Sequence, residues 1–523
     1  MTTFENYIEK AHNLLHAKSP VFVYSESPVT ASAFAKAYEL TYADEYKQIS
    51  HLYYTGELKT DIILRADPAD HPDEDDSEIF QRHYDTLRAP GAEGLLIVDG
   101  FCVKPKDDPL WREFIRCGVP TLIVTEQPVE KYQMITIPAV TADASTDAIL
   151  SDLKDSEKEL LRNLLLFPFW ETKKSDILRW LDLADAQIPD ALVTKGLIGC
   201  TQDDIYVMPE YAAALYEHFL PSVNSCSKLL HRFHRFCLMP GLLQNKPAAE
   251  IRALISIVRR IHVDNPQEYV LFLQDLFPVL DKYMVASFLP QLTEEISKWM
   301  EECHMDDPCD KTLLLNYKAE LFVMKKDFDN ALKKMQRAIS ILEQMHTPDA
   351  DPRVINLLAN TYSNQSNLFM QLKRGDDAVK SLRRAFDIRL EYAQLGKVET
   401  RAMMQQLMNL ISMLILAQDQ DQAEEVLTIY ESYVLKNFGE QSIDYGISLL
   451  AQGIYTLSVG NPRVAEMNLL RAEATITAIE GSNNDYARTA FQYLAVLYDR
   501  WERPELAQEY QKKLQDSYAV SDQ

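Results

Sequence analysis

The stretch KDFDNALKKMQRAI, Lys326 to Ile339, sets the fold of the second half of this chain: an acidic turn, an alanine at 331, and a second alanine seven residues on. The phrase returns as RGDDAVKSLRRAF (Arg374–Phe386), DQDQAEEVLTIY (Asp419–Tyr430), GNPRVAEMNLLRAE (Gly460–Glu473) and RPELAQEYQKKL (Arg503–Leu514). Its alanines, Ala331, Ala378, Ala423, Ala465 and Ala507, lie 47, 45, 42 and 42 residues apart. Apolar residues at helical spacing run before and after each turn. In three units a second small residue follows (Ala338, Ala385, Ala472), as two closely packed helices require. The pattern predicts helical hairpins stacked as an all-α superhelical solenoid over residues 311–523. Residues 221–310 read as a helical connector, with degenerate earlier repeats as one reading of it.

Toward the N-terminus the rhythm changes. Val21–Tyr24, Gln48–Tyr54, Leu95–Val98 and Thr121–Val124 are short β-branched runs separated by helical stretches, which predicts an α/β domain with a parallel sheet over residues 1–142. Between the second and third runs, Ala66–Glu78 (ADPADHPDEDDSE) has acids at Asp67, Asp70, Asp73 and Asp75 but no calcium-loop glycine or terminal glutamate, so it reads as a solvated loop. Residues 145–220 give three helices, Asp155–Phe167 with a cap at Asp155-Ser156, Ser175–Leu181 and Ile188–Ile198, then a hairpin at Cys200–Met208. That order is the winged-helix pattern. Its last helix carries Asp190 and a single Lys195, too little charge to hold a DNA groove.

Composition excludes further classes. The 523 residues carry 53 Lys+Arg against 78 Asp+Glu, a formal charge of -25, and no basic stripe, which argues against a nucleic-acid partner. The start, MTTFENYIEK, carries acids and no apolar core, so neither a signal nor a transit peptide is expected. The longest apolar run, Leu164–Trp170, contains Pro168 and falls far short of the ~20 residues a bilayer span needs. Seven scattered cysteines predict reduced thiols and a cytoplasmic protein. His231, His234 and Cys237, and the ECHMDDPC stretch with Cys303, His304 and Cys309, read as helix-end residues and not as metal ligands.

Two resemblances add expectations. Phe322, Asp327-Phe328, Ala331 and Ala338, and again Phe369, Gly375-Asp376, Ala378 and Ala385, resemble the aromatic, turn and alanine positions of the tetratricopeptide repeat, with units longer than its usual length. VYSESPVTASAFAKAYEL (Val23–Leu40) resembles the phosphate-binding loop and first helix of the signal-transducing ATPases with numerous domains, the STAND class that includes NB-ARC-like domains. On that alignment Ser25 and Thr30 stand at the glycine positions, Ala31 at the lysine, and Ser32 keeps the magnesium hydroxyl; Pro28 removes a backbone donor. Asp99 in LLIVDGF resembles the magnesium-associated acid, with Gly100 where a second acid would act, and Thr125 resembles the start of the γ-phosphate sensor, followed by Glu126 and Gln127. Met208 matches a later family motif, but Pro209 replaces its nucleotide-contacting histidine, and the small helical domain that normally precedes the winged helix is missing. The resemblance therefore implies a degenerate P-loop NTPase-like domain, a vestigial nucleotide site (Ser25, Thr30, Ala31, Ser32, Asp99, Thr125), no cofactor beyond weak ADP or ATP binding, and no catalysis.

The functional expectation rests on VINLLANTYSNQSNLFMQ (Val354–Gln371), where Asn356, Asn360, Asn364 and Asn367 put carboxamides along one helix face. Asparagine is a poor helix former, so the row needs an offsetting role. On the repeat alignment Asn360, Asn364 and Asn367 fall on the concave groove, where amides hold the main chain of an extended peptide; Gln405 and Ser412 extend it, and hydrogen bonding between repeats is the competing role. The expected function is a non-catalytic regulatory protein that binds a protein or peptide partner in its repeats. The alternatives are a nucleotide-gated switch or slow ATPase of the STAND class, whose only nearby cation is Lys36, turned away from the loop, and a transcription regulator using the winged helix.

Overall fold

The computed structural model describes residues 4–17, 20–65, 75–140, 149–183, 187–201, 203–237, 248–282, 287–396 and 400–519. The chain divides into two compact units, Met1–His304 and Met305–Gln523. Most of the acidic stretch Ala66–Glu78 lies outside the described residues; its end, Asp75, caps the helix Asp76–Arg88 by accepting from the backbone N–H groups of Ser77 and Glu78.

In the first unit, α1 (Glu5–Ala17) precedes β1 (Val21–Tyr24), α2 (Pro28–Tyr42), β2 (Gln48–Tyr53), α3 (Leu58–Ile63), α4 (Asp76–Arg88), β3 (Gly94–Phe101), the single turn α5 (Trp111–Phe114), β4 (Thr121–Thr125) and β5 (Gln133–Thr136). The strands form one parallel sheet in the order β2-β3-β4-β1-β5. The four predicted runs are its first four strands, β2 lying at one edge and β3, β4 and β1 inside. They read as apolar because helices cover both faces: β3 and β4 are buried along their whole length. The edge strand β5, QMIT, has a single buried residue, Ile135, and carries no such signal. The chain leaves β1 for the far edge and returns through β3 and β4 before passing β1 to make β5. The carboxyl ends of β1 and β3 thus frame the crevice where open α/β sheets take ligands.

Next come α6 (Asp155–Leu164), β6 (Glu171–Lys173), α7 (Lys174–Leu181), α8 (Ile188–Thr194), β7 (Ile198–Cys200), β8 (Asp204–Val207) and α9 (Pro209–Phe219). The three strands form an antiparallel sheet ordered β6-β8-β7, so the predicted hairpin gains a third strand. The cap of α6 is not Asp155-Ser156: Lys154 is the N-cap residue, and its N–H donates to Glu157 Oε2 at 2.8 Å. The helix stops at Leu164, short of Phe167, because Pro168 opens a 3-10 turn in which Phe169 takes φ 53°. Four more helices, α10 (Ser227–Cys237), α11 (Ala248–Arg260), α12 (Pro266–Lys282) and α13 (Leu289–Glu302), belong to this unit and not to the repeats.

The second unit is five helical hairpins: α14 (Pro308–Met324) with α15 (Phe328–Met345), α16 (Pro352–Gln371) with α17 (Gly375–Gln394), α18 (Thr400–Leu416) with α19 (Gln420–Asn437), α20 (Ile443–Ser458) with α21 (Pro462–Glu480), and α22 (Asp485–Arg500) with α23 (Pro504–Ala519). Each begins its second helix at the predicted turn, and Ala331, Ala378, Ala423 and Ala465 are fully buried. The turns share one backbone solution. Lys326, Lys373, Gln418, Gly460 and Glu502, each five residues before its alanine, have φ of 58°, 58°, 58°, 81° and 55°. The N–H of the following residue then donates back to a carbonyl five positions earlier: Asp327 to Phe322, Arg374 to Phe369, Asp419 to Leu414, Asn461 to Thr456 and Arg503 to Tyr498, at 2.8–3.0 Å. This is the Schellman ending, which satisfies helix-end carbonyls and turns the chain sharply. Asp327 and Asp419 also cap the next helix with their side chains. Among the described residues first helices pack on first helices in α14–α16, α18–α20 and α20–α22 more closely than second helices pack on one another, which puts the first helices on the inside of the curve. Among the described residues no helix is long and apolar enough to cross a membrane.

Candidate functional site

Two regions contain the residues singled out from sequence. At the first, the segment after β1 is only Ser25 to Ser27. Ser27 is the N-cap of α2, its Oγ accepting from the Thr30 N–H at 3.3 Å, and Pro28 opens the helix. Thr30, Ala31 and Ser32 are therefore in the first turns of the helix. The Ser-Pro pair is a strong helix start and begins α2 early. No residue from Ser25 to Ser32 has a positive φ, so the backbone lacks the alternation that forms an anion nest. Ser25 Oγ accepts from the Ser27 N–H at 3.3 Å, Thr30 Oγ1 accepts from the Val140 N–H at 3.1 Å, and Ala31 is fully buried.

Ser32 and Asp99 do meet. Ser32 Oγ donates to Asp99 Oδ1 at 2.7 Å, and both are buried at the carboxyl end of the sheet. A third residue, not singled out from sequence, completes the group: Arg260, at the end of α11. Its Nη2 donates to Asp99 Oδ2 at 2.8 Å and lies 3.4 Å from Ser32 Oγ, while Nη1 donates to the Phe167 carbonyl at 2.7 Å. The guanidinium also lies against the rings of Trp170 (5.3 Å) and Tyr53 (5.8 Å). Both carboxylate oxygens of Asp99 are thus occupied by protein donors, and the positive charge in the crevice is the chain's own. Burial of such a pair is stable only because each charge meets the other and the remaining donors find carbonyls.

The neighbouring Arg259 fills the next space. Nη1 donates to the carbonyls of Gly100, at 2.9 Å, and Tyr54, and Nη2 reaches Cys102 Sγ and Gln291 Oε1, both at 3.3 Å. Gly100 has φ +74°, and a Cβ there would stand 2.8 Å from Arg259 Nη1, so this position favours glycine. Burial raises the Glu126 carboxyl against the opposing pull of Arg259. Thr125 stays out of the crevice, its hydroxyl donating to the Gln127 carbonyl of its own turn at 2.8 Å. Lys36 points to the three-stranded sheet, with Nζ 2.5 Å from Glu171 Oε2 and 3.2 Å from Glu39 Oε2.

The second region is the inner face of the hairpins. Of the four asparagines on α16, Asn356 and Asn360 turn their carbonyl oxygens to Arg389 of α17, at 3.0 Å and 2.7 Å. Arg389 is buried without a carboxylate partner, and burial lowers its pKa. The acceptor of Asn360 is therefore committed inside the hairpin, leaving its amide N–H groups at the exposed surface. Asn364 and Asn367 are exposed. Bonding between repeats falls to another residue, Gln406 of α18, whose Nε2 donates to Ser363 Oγ of α16 at 2.8 Å, while Ser366 Oγ donates within its own hairpin to the Ala378 carbonyl at 2.9 Å. The side chain of Gln405 lies outside the described residues; Ser412 is exposed and bonded back to the Met408 carbonyl of its own helix at 2.8 Å. Counting from the shared turn position, Asn409 on α18 is the equivalent of Asn364 and is likewise exposed. It was legible in the sequence, since both asparagines lie nine residues before the positive-φ residue of their turn.

His231 and His234 line an apolar cleft of about 280 Å³ with Leu230, Leu254 and Phe272; Glu268 and Asp275 also line it. The side chain of Cys237 lies outside the described residues.

No family model matches the chain, and no curated protein matches it. Among solved structures it is similar to BtubC from P. vanneervenii (19% identity, 45% of this chain and 91% of that one, TM-score 0.35). It is also similar to the STAND protein with a tetratricopeptide repeat sensor from Pyrococcus horikoshii (13% identity, 98% and 96%, TM-score 0.31) and to the apo form of the quorum sensor NprR from B. thuringiensis (14% identity, 56% and 76%, TM-score 0.31). These are distant likenesses, and the reading of the chain rests on its own residues.

Proposed function

We propose that this is a non-catalytic regulatory protein whose hairpin unit binds an extended peptide segment of a partner protein along the inner face of its first helices. The observation that carries the reading is the pair of exposed carboxamides on α16, Asn364 and Asn367, with Asn360 offering its N–H groups beside them. An exposed amide presents both a donor and an acceptor, and such groups at helical spacing match the alternating N–H and C=O of an extended main chain.

In the same reading the sheet crevice is a relic of a nucleotide site, and 145–220 is a winged helix used for packing. Arg260 occupies the charge position of Asp99, and the positive-φ backbone of an anion cradle is absent between Ser25 and Ser32. On α8 and its neighbour the cations are already paired, Lys195 with Glu157 at 2.8 Å and Lys174 with Asp190 at 2.7 Å, which supports a protein over a DNA partner. Any switching then runs on the partner's differential affinity for two states of the chain.

The test is selection of extended peptides from a random library on the full chain, followed by titration of the best binder. Asn364→Ala combined with Asn367→Ala should weaken it by about tenfold or more, on the order of 1.5 kcal/mol, as expected for two hydrogen bonds. A binder whose affinity ignores both substitutions removes the face from the proposal. Calorimetry with ADP or ATP and magnesium tests the crevice separately, and tight binding of either nucleotide refutes the relic reading.

A further inference from the structure

We propose that His12, His16 and Glu45 form a site for a transition-metal dication of the Zn²⁺ type, holding the end of α1 to the end of α2. The histidines stand one turn apart on α1, their ring centroids 4.4 Å apart, and Glu45 follows α2 in a 3-10 turn. Glu45 Oε2 lies 3.5 Å from His12 Nε2, and one ligand atom from each of the three residues falls within 4.8 Å of the others. Tetrahedral zinc with bonds of about 2.0–2.1 Å needs ligand atoms roughly 3.3 Å apart. His16 and Glu45 are exposed, so side-chain rotation alone closes the set around an ion.

His12 is already held as a ligand needs to be. Its ring stacks on Tyr42 at 3.9 Å, tilted by only 13°, and its Nδ1 is 3.3 Å from the hydroxyl of buried Tyr38, which in turn is 2.7 Å from the Tyr46 hydroxyl. With the proton on Nδ1 donated to Tyr38, the Nε2 lone pair points in the ring plane toward Glu45, and the stacked Tyr42 above the ring leaves that direction open. A hydroxyl on the far nitrogen is the outer-shell arrangement that orients metal-bound imidazoles. The last turns of both α1 and α2 end at this cluster, and the negative ends of two helix dipoles favour a cation. Two imidazoles with one carboxylate select Zn²⁺ and its neighbours over the oxygen-seeking Mg²⁺ and Ca²⁺. Three protein ligands leave the fourth position to water. The ion would brace α2, whose opposite end carries Ser32.

The experiment is competition for Zn²⁺ between the full chain and a chromogenic chelator, in excess Mg²⁺ to occupy the generally acidic surface. Wild type is expected to take one Zn²⁺ per chain, with His16→Ala and Glu45→Gln each weakening it by about 10- to 100-fold and Tyr38→Phe by about 10-fold. His16 and Glu45 are exposed, so both variants keep the wild-type circular dichroism. Cu²⁺ substitution should show nitrogen hyperfine couplings in electron paramagnetic resonance that are lost in His16→Ala. Zinc uptake that His16→Ala and Glu45→Gln leave unchanged, or uptake abolished by the Mg²⁺ background, overturns the proposal.

Discussion

Arg260 in the sheet crevice and Arg389 beneath the asparagine row are both buried, 7% and 4% exposed, yet opposite chemistries satisfy them. Arg260 meets the Asp99 carboxylate; among the described residues Arg389 meets only the carbonyl oxygens of Asn356 and Asn360, and its Nε has no partner. In the crevice a positive and a negative charge cancel, and every polar atom of Asp99 is taken. On the hairpin, two neutral amides solvate the cation, and two more asparagines of the same helix are left facing solvent. The difference separates a region whose polar groups are consumed by folding from one whose polar groups remain available to a partner. It also accounts for part of the cost of four asparagines in one helix: Asn356 and Asn360 are offset within the hairpin, whereas Asn364 and Asn367 are not.

The contrast can be broken most severely at Asp99. Asp99→Ala strands Arg260 in the interior and should destabilise the first unit by about 3–5 kcal/mol, whereas Asp99→Leu with Arg260→Met should recover most of that loss. Urea unfolding followed by tryptophan fluorescence reads it, since Trp111, Trp170, Trp180 and Trp299 all lie in the first unit. A double variant as unstable as the single one would mean that Arg260 is held by the Phe167 carbonyl and the flanking rings more than by Asp99. A smaller effect sharpens the comparison on α16. Asn360→Ala removes an acceptor from a buried cation and should cost about 1.5–3 kcal/mol, while Asn364→Ala, exposed and a better helix former, should stay within about 0.5 kcal/mol of wild type or gain slightly. Equal losses at the two positions, measured by thermal unfolding of the second unit, would erase the distinction between committed and available amides. The smallest effect concerns the turns: Gly460→Ala should cost about 1 kcal/mol and Lys373→Gly should stabilise by a comparable or lesser amount, because only the backbone sign of φ is at stake and nothing crowds a Cβ at Gly460. Chemical denaturation midpoints of the two variants check it; shifts of the same sign would contradict the shared turn.

Much of this was readable from the letters. The inner strands β1, β3 and β4 announce themselves because burial on both faces makes them continuously apolar, and the hairpins because an alanine must recur where two helices touch. The edge strand Gln133–Thr136 and the three-residue strand Glu171–Lys173 are too short and too polar to register. The start of α2 is written in Ser27-Pro28, an N-cap residue followed by a proline in the first turn. Arg260 was hidden for a different reason: its partner is 161 positions away in sequence. The clue is that Arg260 falls in register with buried Ala253 and Ile257 on α11, and a guanidinium on an apolar register demands an acid somewhere in the fold. For the amide row, spacing put the four asparagines on one helix face, but no spacing rule tells which of the four would be taken by an arginine from the next helix.

The recurring turn also fixes where the chain tolerates editing. The letter at the positive-φ position is Lys, Lys, Gln, Gly and Glu, while the distance to the buried alanine is five residues every time. One residue added inside that interval would rotate the following helix by about 100° and carry its alanine out of the contact. The changes in repeat length fall elsewhere: first and second helices alike run from 16 to 20 residues, so the chain is free to vary at the far ends of its helices but not across the turn that joins them.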